Sequence, residues 1–440
     1  MRMILVILLG MRLVLVSSID ALARQAAAEH LHARQPDALF VRWDPGNRGG
    51  LVRHHFHRGG SGLPHHVDPD AADEPGPGLS PRTDHRAAAL HDLGHHVVEQ
   101  LRALADGDGA RIAVLLLPMG LSSNDALHAL GHSAPVLAAA PTGLFIDTVV
   151  LACDPEVVED VLWDVTAALP GEAPTLLEQH RDPEAAGFVV EGEYRRTAGE
   201  FLAAELAFCS TLLAVHTVHP GLVPHDPEAY RRGVELVREL GPHLTVVDAG
   251  AVQRSGLPPG APGAADDHST DGGRLGAFDL PSALLRCRPG TIPSHAPEGE
   301  GAATVVLRTD RPLDPALFRD VLGDLVRGAC RVRGTLHFHD DPHRPVAIEG
   351  VGPHVWLEPA GIDPGGLDRI VGLLERTDRH GPVAHPAPTE DIPCGCAIAL
   401  TSPLLDPQRL QLLLQQATGG AAPGAPDADP APPGARTDIP

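Results

Sequence analysis

Short apolar runs recur through the first 250 residues, at Leu13–Val16, Ala38–Val41, Ile112–Leu117, Thr148–Ala152, Thr211–Val215 and Leu244–Val247. Each is of strand length and uninterrupted by charge, the pattern of a strand covered on both faces. Between them, apolar positions fall at helical spacing over Ala21–Ala33, Ala87–Ala105, Ser123–Leu130, Pro155–Leu169, Thr197–Ala207 and Pro227–Leu240. Such alternation predicts a parallel sheet with helices on both faces, a three-layer α/β domain over residues 11–250. Asp226-Pro227 marks a helix start, because aspartate accepts from free backbone N–H groups while proline already has helical φ.

Two stretches break this rhythm. Residues 45–85 are rich in Gly, Pro and His and read as a long loop or insertion, and residues 251–277 have linker composition. Beyond the linker the pattern predicts strands at Ala303–Arg308, Cys330–His339, Val346–Val351, Val355–Glu358 and Cys396–Leu400. Helices are expected at Asp314–Leu325, Leu367–Arg376 and Pro407–Gln416, giving a small α+β domain over 278–416. Residues 417–440 are almost entirely Ala, Pro, Gly and Asp, a composition expected to stay disordered.

Composition narrows the function. A formal charge of −23 argues against a nucleic-acid groove or an anionic membrane surface as partner. The six cysteines are scattered through 440 residues with no C-x-x-C, unlike the framework of a small secreted protein, so a reduced cytoplasmic setting is expected. The first 23 residues allow two readings. Met1-Arg2, an apolar run and Ala21-Leu-Ala23 fit a signal peptide, which would make this a secreted His-rich metal binder. Arg12 interrupts that run, however, and Arg12 to Asp20 fits a first strand followed by a helix cap, with residues 1–10 as an extension.

The runs Arg311 to Leu322, Cys330 to Phe338 and Val355 to Gly361 resemble the C-terminal domain of the CobW family. Phe145 to Asp154 and Glu193 to Leu213 resemble other family segments in the same order, so the similarity spans about residues 11–416, in an actinobacterial-type form. The resemblance implies a three-layer, P-loop-NTPase-like parallel sheet followed by a small α+β CobW C-terminal domain. It also implies a GTP-dependent metallochaperone of the P-loop GTPase class, with zinc or cobalt as the metal and a metalloprotein client as partner.

The family's nucleotide motifs do not follow. A phosphate loop needs G-x-x-x-x-G-K-[ST], because small residues let backbone N–H groups surround the phosphates and lysine neutralises them. Here the first strand leads into Ser17-Ser-Ile-Asp-Ala-Leu-Ala-Arg24, without Gly or Lys, and Asp20 would repel a phosphate. The E-x-x-G element corresponds to Leu117-Pro-Met-Gly120, which lacks the carboxylate, and N-K-x-D corresponds to Val215-His-Thr-Val218, which lacks the base acceptor. No G-x-S-x-G, H-E-x-x-H or dinucleotide fingerprint is present. The chain therefore reads as a CobW-like protein with a degenerate GTPase site, acting by protein or metal binding. The alternative is an active GTP-dependent metallochaperone with an unconventional nucleotide site.

Residues 45–110 also lack the family's metal-binding cysteines and carry histidines instead. Neutral imidazole binds Zn²⁺ and Co²⁺, which makes His54, His55 and His57 on one loop, and His91 with His95 four apart on a helix, candidate ligands. Chance clustering and a solvated loop explain the same histidines without a metal. Cys394 and Cys396 form a second candidate set that needs further ligands such as His380 or His385. His337 and His339, predicted to share a strand face with His343 nearby, form a third.

Overall fold

The computed structural model describes residues 11–45, 51–56, 112–132, 144–166, 197–217, 225–249, 275–293, 302–360, 395–402 and 405–419. Strands β1 (Met11–Ser17), β2 (Leu39–Pro45), β3 (Leu51–Phe56), β4 (Ile112–Leu116), β5 (Leu144–Cys153), β6 (Thr211–Ala214) and β7 (Thr245–Asp248) form one sheet in the order β3-β2-β4-β1-β5-β6-β7. Six of them are parallel and β3 runs antiparallel on the edge. Strand β1 is central, and its neighbours β4 and β5 belong to the two halves of the sheet. Chain reversal of this kind opens a crevice at the carboxyl ends of the strands, where ligands of such sheets bind.

The alternation of β1 divides the core. Val14 and Val16 join a cluster with Ala23, Ala27, Ala28 and Leu31 of helix α1 (Ala21–Arg34). Leu13 and Leu15 face the opposite cluster. That cluster takes in α2 (Ser123–His132), α3 (Val158–Trp163), α4 (Ala198–Phe208), α5 (Pro227–Leu240) and α6 (Leu280–Cys287). Two apolar faces on one sheet give the three layers expected from the sequence.

The second sheet, antiparallel, has the order β11-β10-β9-β12-β8, from β8 (Ala303–Thr309), β9 (Arg331–Phe338), β10 (Asp341–Val351), β11 (His354–Pro359) and β12 (Cys396–Ser402). Helices α7 (Pro315–Leu325) and α8 (Pro407–Gln416) cover one face through Phe318, Leu325, Leu410 and Leu414. The other face turns towards the first domain. There Glu349 is buried between Arg331 at 2.6 Å and Arg333 at 3.2 Å, and also accepts from the backbone N–H of Gly290 at 2.9 Å. A buried carboxylate needs such partners to remain charged. Gly352, at φ +52° in the β10–β11 turn, lies so close to α3 that a Cβ would meet the Leu162 carbonyl at 2.5 Å. Only glycine permits both that backbone and that approach.

Several elements depart from the sequence pattern. Strand β3 lies inside the stretch read as a loop, pairing Phe40 with Phe56 and Pro45 with Leu51. A short edge strand needs no continuous apolar run, so the polar composition hid it. The helix expected over 155–169 is a 3₁₀ turn (Pro155–Val157) and the short α3. Asp164 ends it in extended backbone, its carboxylate accepting from Thr166 N at 2.8 Å, a local bond that competes with the helix. Helix α6 had no counterpart in the reading, and its Ala283 and Leu284 pack into the core of the first domain. The expected helices at 87–105 and 367–376, most of the linker and residues 420–440 lie outside the described residues, while Ala417, placed in the tail by the sequence pattern, caps α8 and is buried in the C-terminal core. Among the described residues no helix is long and apolar enough to cross a membrane.

Candidate functional site

Among the described residues, three turns after β1, β4 and the β5–β6 pair stand out at the carboxyl edge of the parallel sheet. The first joins β1 to α1 through Ser18, Ile19 and Asp20 alone. Asp20 is the N-cap, its carboxylate accepting from Leu22 N at 3.1 Å and Ala23 N at 2.9 Å. Ser18 Oγ accepts from Asp20 N at 3.2 Å, closing the turn on itself. A helix N-terminus attracts anions through its unpaired amides and its dipole. In α1 those two amides already serve a carboxylate of the same chain.

The second turn follows β4 and lies against the first. Leu117 N donates to Val16 O at 2.9 Å, and Gly120 N, at φ +74°, donates to Ser18 O at 3.0 Å. The buried Arg24 guanidinium reaches across to Leu117 O at 3.0 Å. Behind both turns sits Glu205 of α4, fully buried. Its carboxylate accepts from Ser17 Oγ at 2.5 Å, Ser123 Oγ at 2.7 Å and Ser123 N at 3.0 Å. It thus meets the N-terminus of α2, where negative charge is favoured. Cys209 lies 3.5 Å from the same carboxylate, and burial and that charge push its thiol well above the ordinary value. A thiol so raised is a poor nucleophile.

The third turn unites the ends of β5 and β6. Their parallel register pairs Cys153 with Ala214, so the residues just beyond each strand emerge level. Asp154 accepts from Thr217 N and Thr217 Oγ1, both at 2.8 Å, which fixes the backbone beside His216. Glu156, on the 3₁₀ turn, points one oxygen at two imidazoles. His225 Nδ1 contacts Oε1, and His216 Nδ1 lies 3.5 Å from it. The other oxygen accepts from Asp226 N at 3.1 Å. The ring of Tyr230 stacks on His216 with centroids 4.8 Å apart. Asp226 in turn caps α5, directly ahead of Pro227.

The candidate ligands read from the sequence fall elsewhere. His54 and His55 are neighbours on edge strand β3, while His57, His91, His95 and Cys394 lie outside the described residues, as do His380 and His385. Cys396 opens β12 in the core of the C-terminal domain, where its sulfur accepts from His337 N at 3.2 Å and burial raises its thiol. His337 and His339 do not share a strand face as expected. Strand β9 ends at Phe338, so the alternation that would align them stops short. His337 is buried, its Nδ1 donating to Pro342 O at 2.7 Å, and His339 is exposed. Glu156, His216 and His225 escaped the sequence reading because no local spacing links them. Their one signal is positional, each lying just past a strand or just before a helix at the same edge of the sheet.

Residues 302–381 match the family model of the cobalamin synthesis protein cobW C-terminal domain. Among solved structures, the Zn(II)-bound YjiA GTPase from E. coli aligns at 11% identity and TM-score 0.31, over 93% of this chain and 99% of that one. A Zn(II)-bound triple mutant of the YjiA GTPase aligns at 10% identity and the same TM-score, with the same coverage. No curated protein sequence matches the chain.

Proposed function

We propose, from the premise that the chain belongs to the CobW family by its C-terminal domain, that it serves metal homeostasis by binding metal or a metalloprotein client, with a nucleotide-binding fold that has become a scaffold. The observation that carries this reading is the turn after β1. Asp20 caps α1 with its own carboxylate, leaving Leu22 N and Ala23 N bonded where a phosphate cradle would need them open. The turn has no lysine and no glycine, so neither the charge nor the backbone approach of a phosphate loop is available. The residues present do not fit GTP·Mg²⁺, and no hydrolytic step is assigned to them.

Around that turn the polar groups serve the fold. Arg24 ties α1 to Leu117, and Glu205 ties β1 to α2. The C-terminal domain, by contrast, presents an open cavity of about 650 Å³ between α7 and β10–β11, lined by Phe318, Leu322, Leu357, Arg319 and Arg344. Mixed apolar and charged walls suit contact with another protein. Isothermal titration of the full chain with GTP·Mg²⁺ tests the proposal. No heat above dilution and no phosphate release are expected; micromolar binding with turnover would overturn it in favour of a GTP-dependent metallochaperone.

A further inference from the structure

We propose that Glu156, His216 and His225 form a binding site for one divalent transition-metal ion of the Zn²⁺ or Co²⁺ class. One ligand atom from each lies within 4.8 Å of the others. Two imidazole nitrogens and one carboxylate oxygen form the donor set that borderline ions prefer over Mg²⁺, which seeks oxygen alone. Metal–ligand bonds of about 2.0–2.2 Å place tetrahedral ligands about 3.4 Å apart, and His216 Nδ1 already stands 3.5 Å from Glu156 Oε1. His225, whose side chain is 38% exposed, is the ligand with room to swing and admit the ion. That exposed side leaves access for water or a transferring ligand.

The supports of the three residues are what a metal site requires. Ligating side chains need an outer layer of hydrogen bonds that fixes their orientation. Asp154 accepts from Glu156 N at 3.1 Å and Thr217 N at 2.8 Å, so one carboxylate anchors the backbone on both sides of the cluster. Asp226 N holds the distal oxygen of Glu156, which leaves the proximal one aimed at the imidazoles. Tyr230 stacks on the His216 ring and fixes its plane. Glu156 is 9% and His216 16% exposed, so the ion would sit in a partly dehydrated recess where the carboxylate attracts it more strongly than in water. The location is the carboxyl edge of β5 and β6, where parallel sheets bind ligands.

In naming a transition metal, this site deepens the metal half of the proposed function and rests on that half alone. The nucleotide half can fail in the GTP titration while the site stands, and the reverse. Because the chain has 26 histidines, the test must resolve individual ones. Histidine carbethoxylation of the full chain, read peptide by peptide in a mass spectrometer across a Zn²⁺ titration, does so. His216 and His225 should become protected together, at one Zn²⁺ midpoint, while Mg²⁺ at the same concentration protects neither. In Glu156→Gln, which keeps an acceptor for Asp226 N, the midpoint should rise at least tenfold. In His225→Asn, the exposed position least able to disturb folding, His216 should lose protection to the same degree. Thermal melting without metal confirms that both variants are folded. Absence of joint protection in the wild-type chain, or an unchanged midpoint in both folded variants, would overturn the proposal.

Discussion

At the scale of single residues, carboxylates decide what the carboxyl edge of the sheet can do. Asp20, Asp154, Glu156 and Glu205 each hold two or more donors from separate parts of the chain or from a helix start. Asp20 is the most consequential, because it occupies two of the free amides at the start of α1. Replacing it with alanine should cost about 1 kcal/mol, the usual value of an N-cap. Asparagine, which can still accept, should cost only a few tenths. Urea unfolding of the two variants checks this, and equal midpoints for alanine and wild type would mean that the cap contributes nothing. The capping role is legible in the sequence, since an aspartate directly ahead of a helical pattern has few other uses. Glu205 is not, because in α4 it looks like any helix-surface glutamate until β1 and α2 close over it.

Among the elements, helix starts are the most readable. Asp226-Pro227, Asp314-Pro315 and Asp406-Pro407 each place a capping aspartate ahead of a proline in the first turn. All three helices begin where that pair stands, since both residues act within one turn of chain. What the pair leaves out is how close a helix comes to its neighbour. Helix α5 rests on the 3₁₀ turn that carries Glu156, and a Cβ on Gly233 would stand 1.8 Å from the Pro155 carbonyl oxygen. By helix propensity alone, Gly233→Ala should stabilise by up to about 1 kcal/mol. The backbone contact wins, because neither partner can yield, and overpacking of this kind costs about 1–3 kcal/mol. The variant should therefore melt below wild type and bind Zn²⁺ less well at His216 and His225, which sit against the displaced turn. A variant as stable as wild type would show that α5 can shift freely.

For the whole molecule, half-buried imidazoles couple stability to pH. His30 on α1 is held down to about 4, first by burial, then by Arg34, with Asp248 opposing. His243 is likewise held to about 4 by burial and by Arg286, its Nε2–H donating to Cys209 O. In the unfolded chain both take up protons near 6.5. Between that value and about 4 the unfolded state therefore binds more protons, and stability falls as the pH drops. Melting temperatures should be level above pH 7 and decline from about pH 6.5 towards 4, and His30→Gln should blunt the decline. A flat profile down to pH 5 would contradict the assignment.

The sequence by itself determined the alternation of strands and helices, the parallel sheet, the small C-terminal domain and the lack of a G-x-x-x-x-G-K-[ST] motif after the first strand. These rest on local periodicity and on motifs contained in a few consecutive residues. Tertiary structure alone decided that β3 pairs on the edge, that α6 packs into the first domain and that Glu205 is buried. It also decided that Glu156 meets His216 and His225. Those contacts depend on strand register and helix approach, where distances of an ångström or two arise from the packing of segments far apart in the chain.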